Sequence, residues 1–444
     1  MLRIKNLFGL ITSFIASSYY RFLYKNGKLS AEKHNALQNE LKIKMKQQKR
    51  LINNSFYSEK AYLEYILDSN KNKSQEFVKD TDDYYKNQNS VKLVSFYLPQ
   101  FYEFEENNKW HEKCFTEWTN VTSAIPHFTG HYQPQLPVDI GFYDLSNIKT
   151  MNRQIEMARK YGIDAFCFHY YWFSGKRLME KPLFNLLESK ETNFPFMICW
   201  ANEPWVRLWD GGDNEVLQKQ ELNDGDDVKF MEDILPFIKD ERYIKIDGKP
   251  FIIIYRPTFF PKDKIINFIK NIRTIAKQYG FEDLYLASVR REELEGTPED
   301  WNLDAFVEFP PHGFTNSDHK DKDDMYINPS LSTVKLVELN DNLIAENSHP
   351  KVPFKLFKGC FPAWDNTARK AYTGASIYLS SPAFYKKWLK RCIEWTKENS
   401  TGDEQVVFIN AWNEWAEGAH LEPDSKYGYA YLAATKEALE ETAY

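Results

Sequence analysis

From Val91 onward, short runs of apolar residues alternate with segments whose apolar residues recur at helical spacing. The runs are VKLVSFYLP, AFCFHYYW, FPFMICWA, PFIIIYRP, LYLASVR, LDAFVEF, VPFKLFKGCF and QVVFINAW, which makes eight. The clearest helical patterns lie at residues 148–161, 262–279 and 382–399. Apolar strands interleaved with helices predict a parallel sheet covered on both faces, and eight such units close a barrel. The sequence therefore predicts an α/β fold, a (β/α)8 TIM barrel; the alternative is an open doubly wound sheet, whose Gly-rich fingerprint is missing.

The first ninety residues have a different pattern. Apolar residues at positions 4, 7, 8, 11, 14, 15, 19 and 22 share one helical face between basic flanks, which predicts an amphipathic helix. A helix in the membrane interface, a cleaved secretory signal and a helix packed on the barrel all fit this pattern. Helix formers predict an exposed helix over residues 31–56, and polar residues 70–90 indicate a linker. We expect a membrane-surface anchor at 1–30, a helical extension and linker at 31–90, and the barrel at 91–444.

Charge and cysteine content narrow the possible partners and compartment. Residues 1–60 hold twelve Lys or Arg against three Glu, so that the total of −6 leaves −15 for the remainder. An acidic barrel argues against nucleic acid as a partner. The five Cys have no metal-ligand spacing, and we interpret them as reduced, which favours the cytoplasm or the inner face of its membrane. No paired-histidine spacing or phosphate loop is present, so we expect neither a metal nor another cofactor. The oligomeric state stays open.

Polar and aromatic residues follow the predicted strands at the end where barrel enzymes build their active sites. The candidate substrate-binding residues are Tyr97, Gln100, Glu117, Trp118, His169, Tyr170, Tyr171, Trp172, Trp200, Asn202, Glu203, Trp205, Tyr255, Arg256, Glu308, Trp364, Asp365, Asn413 and Trp415. Nine of the 12 Trp lie in or beside these segments, namely Trp110, Trp118, Trp172, Trp200, Trp205, Trp209, Trp364, Trp412 and Trp415. Ring faces beside amide, guanidinium and carboxylate groups suit sugars. The pattern predicts a polysaccharide or oligosaccharide substrate, although Trp in long loops also serves packing.

A pair of carboxylates, Glu414 and Glu417, stands three residues apart after the eighth strand. Retaining glycoside cleavage typically uses two carboxyl groups about 5–5.5 Å apart, and this spacing in a turn permits such a separation. Mutual repulsion would raise one pKa, as a general acid near neutral pH requires. Glu pairs at this spacing are also common on exposed helices. We predict that Glu414 and Glu417 are catalytic, with Glu203 and Glu308 as further acid/base candidates.

WbsX-like proteins of bacterial capsule and O-antigen loci are similar to this chain in five long motifs, SFYLPQFYEFEENNKWHEKCFTEWTNV, HYQPQLPVDIGFYDL, YGIDAFCFHYYWFSGKRLMEKP, ICWANEPWVRLWDG and INAWNEWAEGAHLEPDSKYGYAYLAA. These proteins are labelled glycosyltransferases and are related to glycoside hydrolase family 99, the endo-acting α-mannosidases. The resemblance implies that Glu417 is the general acid/base on the glycosidic oxygen. It also implies that Glu414 is the base on the neighbouring 2-hydroxyl, through an anhydro-sugar intermediate. The first ninety residues lie outside the resemblance.

Three functions follow from these observations. The leading hypothesis is a retaining, endo-acting glycoside hydrolase or transglycosidase that acts on an α-mannoside-like glycan of bacterial capsule or O-antigen lipopolysaccharide. The second is a glycosyltransferase with a nucleotide- or lipid-linked donor, for which the sequence offers no well-placed DxD or diphosphate-binding patch. The third is a glycan-binding barrel without catalytic activity.

Overall fold

Eight parallel strands close into a barrel. The structure, a computed structural model, describes residues 2–31, 33–38, 41–42, 45, 73–86, 88–128, 130–207, 215–313, 334–347, 352–370 and 375–443. The barrel strands are β1 Lys92–Tyr97, β2 Ala165–Phe173, β3 Phe196–Trp200, β4 Lys249–Ile254, β5 Tyr285–Arg290, β6 Ala305–Glu308, β7 Leu356–Cys360 and β8 Val406–Ile409. Each strand pairs in parallel with the next, and β8 pairs with β1, which completes the ring. The predicted TIM barrel is confirmed, with all eight strands in the predicted runs.

The described residues form ten α-helices. They are α1 Leu2–Lys25, α2 Glu105–Trp110, α3 Glu117–Ser123, α4 Ile148–Lys160, α5 Lys181–Glu188, α6 Asp226–Lys239, α7 Lys262–Gln278, α8 Asp341–Asn347, α9 Pro382–Asn399 and α10 Ala430–Glu441. The three clearest helical patterns correspond to α4, α7 and α9. Asn147 and Ser381 cap α4 and α9 with side-chain oxygens, as helix starts favour. Between β5 and β6 the connection holds only a short 3-10 helix, Pro298–Trp301.

Short strands add to the barrel, most of them in the loops that follow its strands and one, Lys245–Ile246, just before β4. Antiparallel pairs join β2 to Lys176–Leu178, Trp205–Val206 to Val216–Gln218, β4 to Lys245–Ile246, and Asn413–Glu414 to Ala419–His420. A separate sheet contains Lys335–Glu338, Ser376–Leu379 and Trp364–Asp365. The loops after β2, β3 and β8 are thereby held by backbone hydrogen bonds, which restricts the positions of the side chains they carry.

The core combines the barrel interior with the layer between strands and helices. Phe96, Phe251 and Phe408 pack against one another or against neighbouring rings within the barrel. Large side chains such as Trp200 and Trp412 are completely buried. Burying a large apolar side chain stabilises the fold by roughly 1.5–3 kcal/mol, so these strands are stable only when both their faces are covered.

The N-terminal helix exposes most of its predicted apolar face. Phe14 and Phe22 are 64% and 60% exposed, whereas Ser17 donates a hydrogen bond to Gln38 at 2.7 Å on the other side of α1. Among the described residues, no helix is both long enough and apolar enough to cross a membrane. Most of the predicted helix at 31–56 lies outside the described residues, although residues 33–38 are helical.

Candidate active site

A cavity of about 360 Å³ opens at the C-terminal ends of the barrel strands. Of the residues predicted from the sequence, Gln100, Glu117, His169, Tyr171, Glu203, Trp205, Tyr255, Glu414 and Glu417 line it. They come from the loops after β1, from β2 and from the ends of β3, β4 and β8. The cavity therefore brings together both members of the carboxylate pair and side chains that can hydrogen-bond or stack on a sugar.

A tight turn fixes the two carboxylates. Glu414 ends a short strand, and a single 3-10 turn, Trp415–Glu417, carries the chain to Gly418. Gly418 has φ 60°, and a Cβ at this position would lie 3.0 Å from the Cβ of Asp365. Glycine adopts this left-handed conformation without steric penalty. The turn therefore depends on glycine for its geometry and for its close approach to the loop after β7.

Asn413 ties this turn to the neighbouring loop after β1. Its side-chain oxygen accepts a hydrogen bond from the Leu98 amide at 2.8 Å, and its side-chain nitrogen donates to the Leu98 carbonyl at 2.9 Å. Gln100, two residues further on, donates to both carboxylate oxygens of Glu414 at 3.0 and 3.1 Å. The loops after β1 and β8 thus position Glu414 jointly.

Arg369, which the sequence analysis did not single out, lies among three carboxylates. Its Nη2 is 3.0 Å from Glu414 and 3.1 Å from Glu117, and its Nη1 is 2.9 Å from Glu417. The guanidinium forms a planar fork of donors, which matches several carboxylates at once. Glu414 and Glu417 therefore face the same cation in one site. Arg369 lies four residues after Asp365 in the loop after β7, and this nearness to a named candidate was the signal that the sequence carried.

The environment of Glu414 raises its pKa. Burial is the main cause, the neighbouring Glu417 and Glu117 carboxylates add to it, and Arg369 and Gln100 act in the opposite direction, which leaves the pKa at about 8. A general base or acid works best when its pKa lies near the operating pH. Burial also lowers the pKa of His169 to about 3, so its imidazole is neutral and serves as a hydrogen-bonding or packing group.

Seven of the predicted aromatic residues do not line the cavity. They are Tyr97, Trp118, Tyr170, Trp172, Trp200, Trp364 and Trp415. Trp172 and Trp200 are completely buried, and both rings pack on Phe230 of α6. The hydroxyl of Tyr170 donates to Asp233 on the same helix. These side chains point into the layer between strands and helices, where they pack the fold behind the cavity. Trp209 lies outside the described residues.

The remaining aromatic residues have structural hydrogen-bond partners. The Tyr97 hydroxyl donates to Gln154 of α4 at 2.7 Å. The indole nitrogens of Trp118 and Trp364 donate to the Tyr143 carbonyl at 2.9 Å and to Ser376 at 3.1 Å. Because their polar atoms are paired within the protein, these rings have the environment of core residues.

Five predicted polar residues also lie outside the cavity lining. They are Asn202, Arg256, Glu308, Asp365 and Asn413. Asn202 exchanges two hydrogen bonds of 2.7 Å with the Arg256 backbone, which joins the loops after β3 and β4. Glu308 pairs with Lys358, and buried Asp365 accepts from His131 at 2.6 Å. Each contact satisfies a buried polar group within the protein.

Glu422 is a further buried carboxylate that the sequence analysis did not name. It accepts hydrogen bonds from the indole nitrogens of Trp412 at 3.1 Å and Trp415 at 2.7 Å, and from Tyr143 and Gln154 at 2.6 Å each. Burial raises its pKa to about 7, against the effect of these four donors. Glu422 thereby fixes the two tryptophans that flank Glu414.

No cluster of three His, Cys, Asp or Glu side chains suited to a metal ion occurs in the described part of the chain. The chemistry that the cavity offers comes from carboxylates, basic side chains and aromatic rings. These groups are suited to proton transfer and to hydrogen bonding with hydroxyls.

Comparison with known proteins gives the family. The family model described as Glycosyltransferase WbsX matches residues 93–435. The chain belongs to the WbsX family. WxcX of Xanthomonas campestris pv. campestris, in two strains, is 38% identical over 347 residues, which are 78% of this chain and 49% of WxcX. This WbsX chain therefore spans about half the length of the curated relatives it matches.

Solved structures share the fold of this WbsX chain. Two structures of the GH99 endo-alpha-mannosidase from Bacteroides thetaiotaomicron have TM-scores of 0.51 at 15% and 16% identity, covering 79% of this chain and 97% of theirs. At this identity the likeness shows the barrel fold alone. The family match confirms the resemblance seen in the sequence.

Proposed function

We propose that this WbsX protein is a retaining, endo-acting glycoside hydrolase or transglycosidase that acts on a bacterial surface polysaccharide with α-mannoside-like linkages. The observation that carries the proposal is the contact of Glu414 and Glu417 with one guanidinium, 3.0 and 2.9 Å away, at the mouth of a barrel. Two carboxyl groups held together in a cavity are what glycoside cleavage requires. The WbsX family and the barrel shared with an endo-alpha-mannosidase support the substrate class.

The proposed reaction has two steps. Glu414 removes the proton of the 2-hydroxyl, whose oxygen attacks the anomeric carbon, while Glu417 donates a proton to the departing glycosidic oxygen. Water or a second sugar hydroxyl then attacks the anomeric carbon of the anhydro sugar. Glu417 accepts the proton of this nucleophile, and Glu414 returns its proton to the 2-oxygen. The route needs an axial 2-hydroxyl opposite the leaving group, as mannose provides.

Two observations support this division of roles. Glu414 is buried, and its raised pKa of about 8 makes its ionised form a stronger base than an exposed carboxylate, with an ionised fraction that grows as the pH rises toward 8. Glu417 is partly exposed at the cavity surface, where a leaving group can reach it. Among the lining residues, Tyr171, Trp205 and Tyr255 have rings that can contact the hydrophobic face of a sugar.

Product analysis tests the proposal. The full chain would be incubated with the surface polysaccharide of its bacterium, and products would be measured by mass spectrometry with and without nucleotide sugars. We expect shortened fragments without any donor, and their loss in Glu417→Gln while binding persists. Glu437→Gln, which removes an exposed carboxylate paired with Lys386 on the outer surface, is the matched control. Fragments formed equally by Glu417→Gln would contradict the assignment.

The second candidate is a glycosyltransferase, which the family description favours. In that case the chain would extend the polysaccharide only when a nucleotide- or lipid-linked donor is present. The carboxylate pair would then bind the acceptor hydroxyls, and Glu417→Gln would weaken acceptor binding without abolishing donor binding. The same incubation distinguishes the two candidates by the direction of the mass change.

We also propose that the protein works on the cytoplasmic side of the membrane and contacts its surface through residues 1–30. Support comes from the exposed Ile11, Phe14 and Phe22 on α1, next to basic Arg21 and Lys25. An apolar stripe with flanking cations suits the interface of an anionic bilayer.

Vesicle flotation tests this contact. We expect the full chain to float with vesicles that contain phosphatidylserine and less with purely zwitterionic vesicles. Phe14→Glu should abolish flotation, whereas Val228→Glu, at a 45% exposed position on α6, should not change it. Equal flotation of the wild type and Phe14→Glu would contradict the proposal.

A further inference from the structure

A group of basic side chains lines the β5–β7 side of the cavity. Arg291 follows β5, His312 follows β6, and Lys370 is the residue after Arg369 in the loop that follows β7. All three line the same cavity as the carboxylate pair. The proposed reaction uses none of them.

The cations on this side of the cavity differ in whether they have a carboxylate partner among the described residues. Arg291 is 3.0 Å from Glu293 and 3.8 Å from Glu203. Arg256 is 2.7 Å from Glu203 and 2.9 Å from Glu293. Two carboxylates are thus shared by two guanidinium groups, and Lys370 has no ion pair with any residue in the described ranges. Among the described residues, Lys370 is therefore the cation on this side of the cavity without a carboxylate partner.

The side chains of this group are held in place by their neighbours. The Arg291 side chain is only 14% exposed, and its guanidinium lies 5.4 Å from the ring of Tyr255. His312 stacks on Phe309 at 5.9 Å. Burial lowers the pKa of His312 to about 3, and Arg291 and Lys370 contribute to this effect, so its ring is neutral and can donate one hydrogen bond. A held guanidinium, an unmatched ammonium and a neutral imidazole are the donors that an anion requires.

The neighbouring carboxylates are held by a different cation, which they outnumber. Glu414, Glu417 and Glu117 all contact Arg369 at 2.9 to 3.1 Å. Lys370 is adjacent to Arg369 in the chain, so an anion held by Lys370 would belong to the sugar at the cleaved bond or to its immediate neighbour.

We infer that Arg291, Lys370 and His312 form a subsite for an anionic group of the glycan, either the carboxylate of an acidic sugar or a phosphate substituent. The inference rests on the proposed function, because it names the substrate class of the same cavity. It predicts that the enzyme prefers acidic over neutral polysaccharide.

Calorimetric titration with defined glycans tests the subsite. The probes are α-linked mannobiose, the same disaccharide with glucuronic acid in place of one mannose, and its phosphorylated counterpart. We expect the full chain to bind one of the acidic probes about 10- to 100-fold more tightly than mannobiose, as one charged hydrogen-bond contact provides. Whichever acidic probe binds more tightly identifies the source of the anion.

A charge-removing variant assigns the preference to the site. Lys370→Met should reduce the ratio between acidic and neutral probes by about tenfold or more. Lys270→Met, which removes the same charge at an exposed position of α7, should leave the ratio unchanged. Circular dichroism confirms that each variant is folded, and the wild-type comparison stands without any variant.

The possible results separate the two proposals. Equal affinity for acidic and neutral probes, whether tight or too weak to measure, overturns the subsite. An unchanged ratio in Lys370→Met overturns it as well. A clear preference for an acidic probe without any cleavage of the polysaccharide supports the subsite and contradicts the hydrolase proposal alone.

Discussion

Replacing Arg369 by methionine tests whether one cation sets the protonation state of the active-site carboxylates. The variant removes the guanidinium 3.0 Å from Glu414 and keeps an unbranched side chain in its place. A unit charge about 4 Å away contributes ~4 kcal/mol at an effective dielectric constant of about 20, or about three pKa units. The pKa of Glu414, about 8 in the wild type, should therefore rise by about that amount.

The sign of the effect on turnover follows from the role of Glu414 as a base. With a pKa of about 8, roughly one molecule in ten has an ionised Glu414 at pH 7. The activity of the wild type should increase with pH up to about 8 and then level off on this limb. In Arg369→Met the ionised fraction at pH 7 should fall by about a further 1000-fold. Turnover at pH 7 should fall in proportion.

Two measurements check the reasoning independently. The pH profile of kcat/KM on the polysaccharide locates the acidic limb in the wild type, in Arg369→Met and in Arg369→Lys, which keeps the charge. Infrared difference spectra between the wild type and Glu414→Gln report the carboxyl protonation directly and need no substrate. Arg391→Met, which removes an exposed guanidinium paired with Asp341 outside the barrel, is the control. A wild-type limb near pH 4.5, or a limb that does not move in Arg369→Met, would refute this account.

Three further predictions concern residues that support the active-site turn or line the cavity. Glu422→Gln would direct an amide nitrogen toward donors that now face a carboxylate, so we expect a loss of ~1–3 kcal/mol per unpaired donor in urea unfolding, with Glu437→Gln as the control. Gly418→Ala, at φ 60° and with a new Cβ 3.0 Å from Asp365, should lower the free energy of unfolding by about 1–3 kcal/mol and reduce turnover; equal stability would contradict the strain at this turn. Trp205→Ala removes a ring from the cavity wall and should weaken glycan binding about 3- to 10-fold in calorimetry, with an unchanged Kd as the contrary result.

The barrel could be predicted from the sequence because its strands are covered on both faces. Such strands appear as consecutive apolar residues, and eight of them were visible between Val91 and Trp412. The connection between β5 and β6 departs from the simple pattern, since the helix that begins at Pro298 ends after one 3-10 turn at Asn302, which has a left-handed backbone. Burial of apolar runs therefore specifies the strands, whereas the covering layer between two of them depends on local turn chemistry.

The site could be predicted only in part, because position after a strand does not give side-chain direction. On β2, His169 and Tyr171 line the cavity, whereas Tyr170 and Trp172 point to α6. Successive strand residues face opposite sides, so alternation along the strand separates these two pairs. Arg369 offered no such rule, since it lies in a loop whose path depends on contacts with three other loops.

Most of the tryptophans near the site pack inside the protein behind the cavity and do not line it. Trp172, Trp200, Trp412 and Trp415 are buried almost completely, and among the described tryptophans Trp205 alone lines the cavity. Catalytic groups must be held to about 0.5 Å, which requires neighbours whose rotamers are locked by packing. Trp200, Trp412 and Trp415 each fill volume and are oriented by one hydrogen bond from the indole N–H, whereas Trp172 is held by packing. Trp172 and Trp200 therefore pack the barrel behind the cavity, and Trp412 and Trp415 hold the turn that carries Glu414 and Glu417.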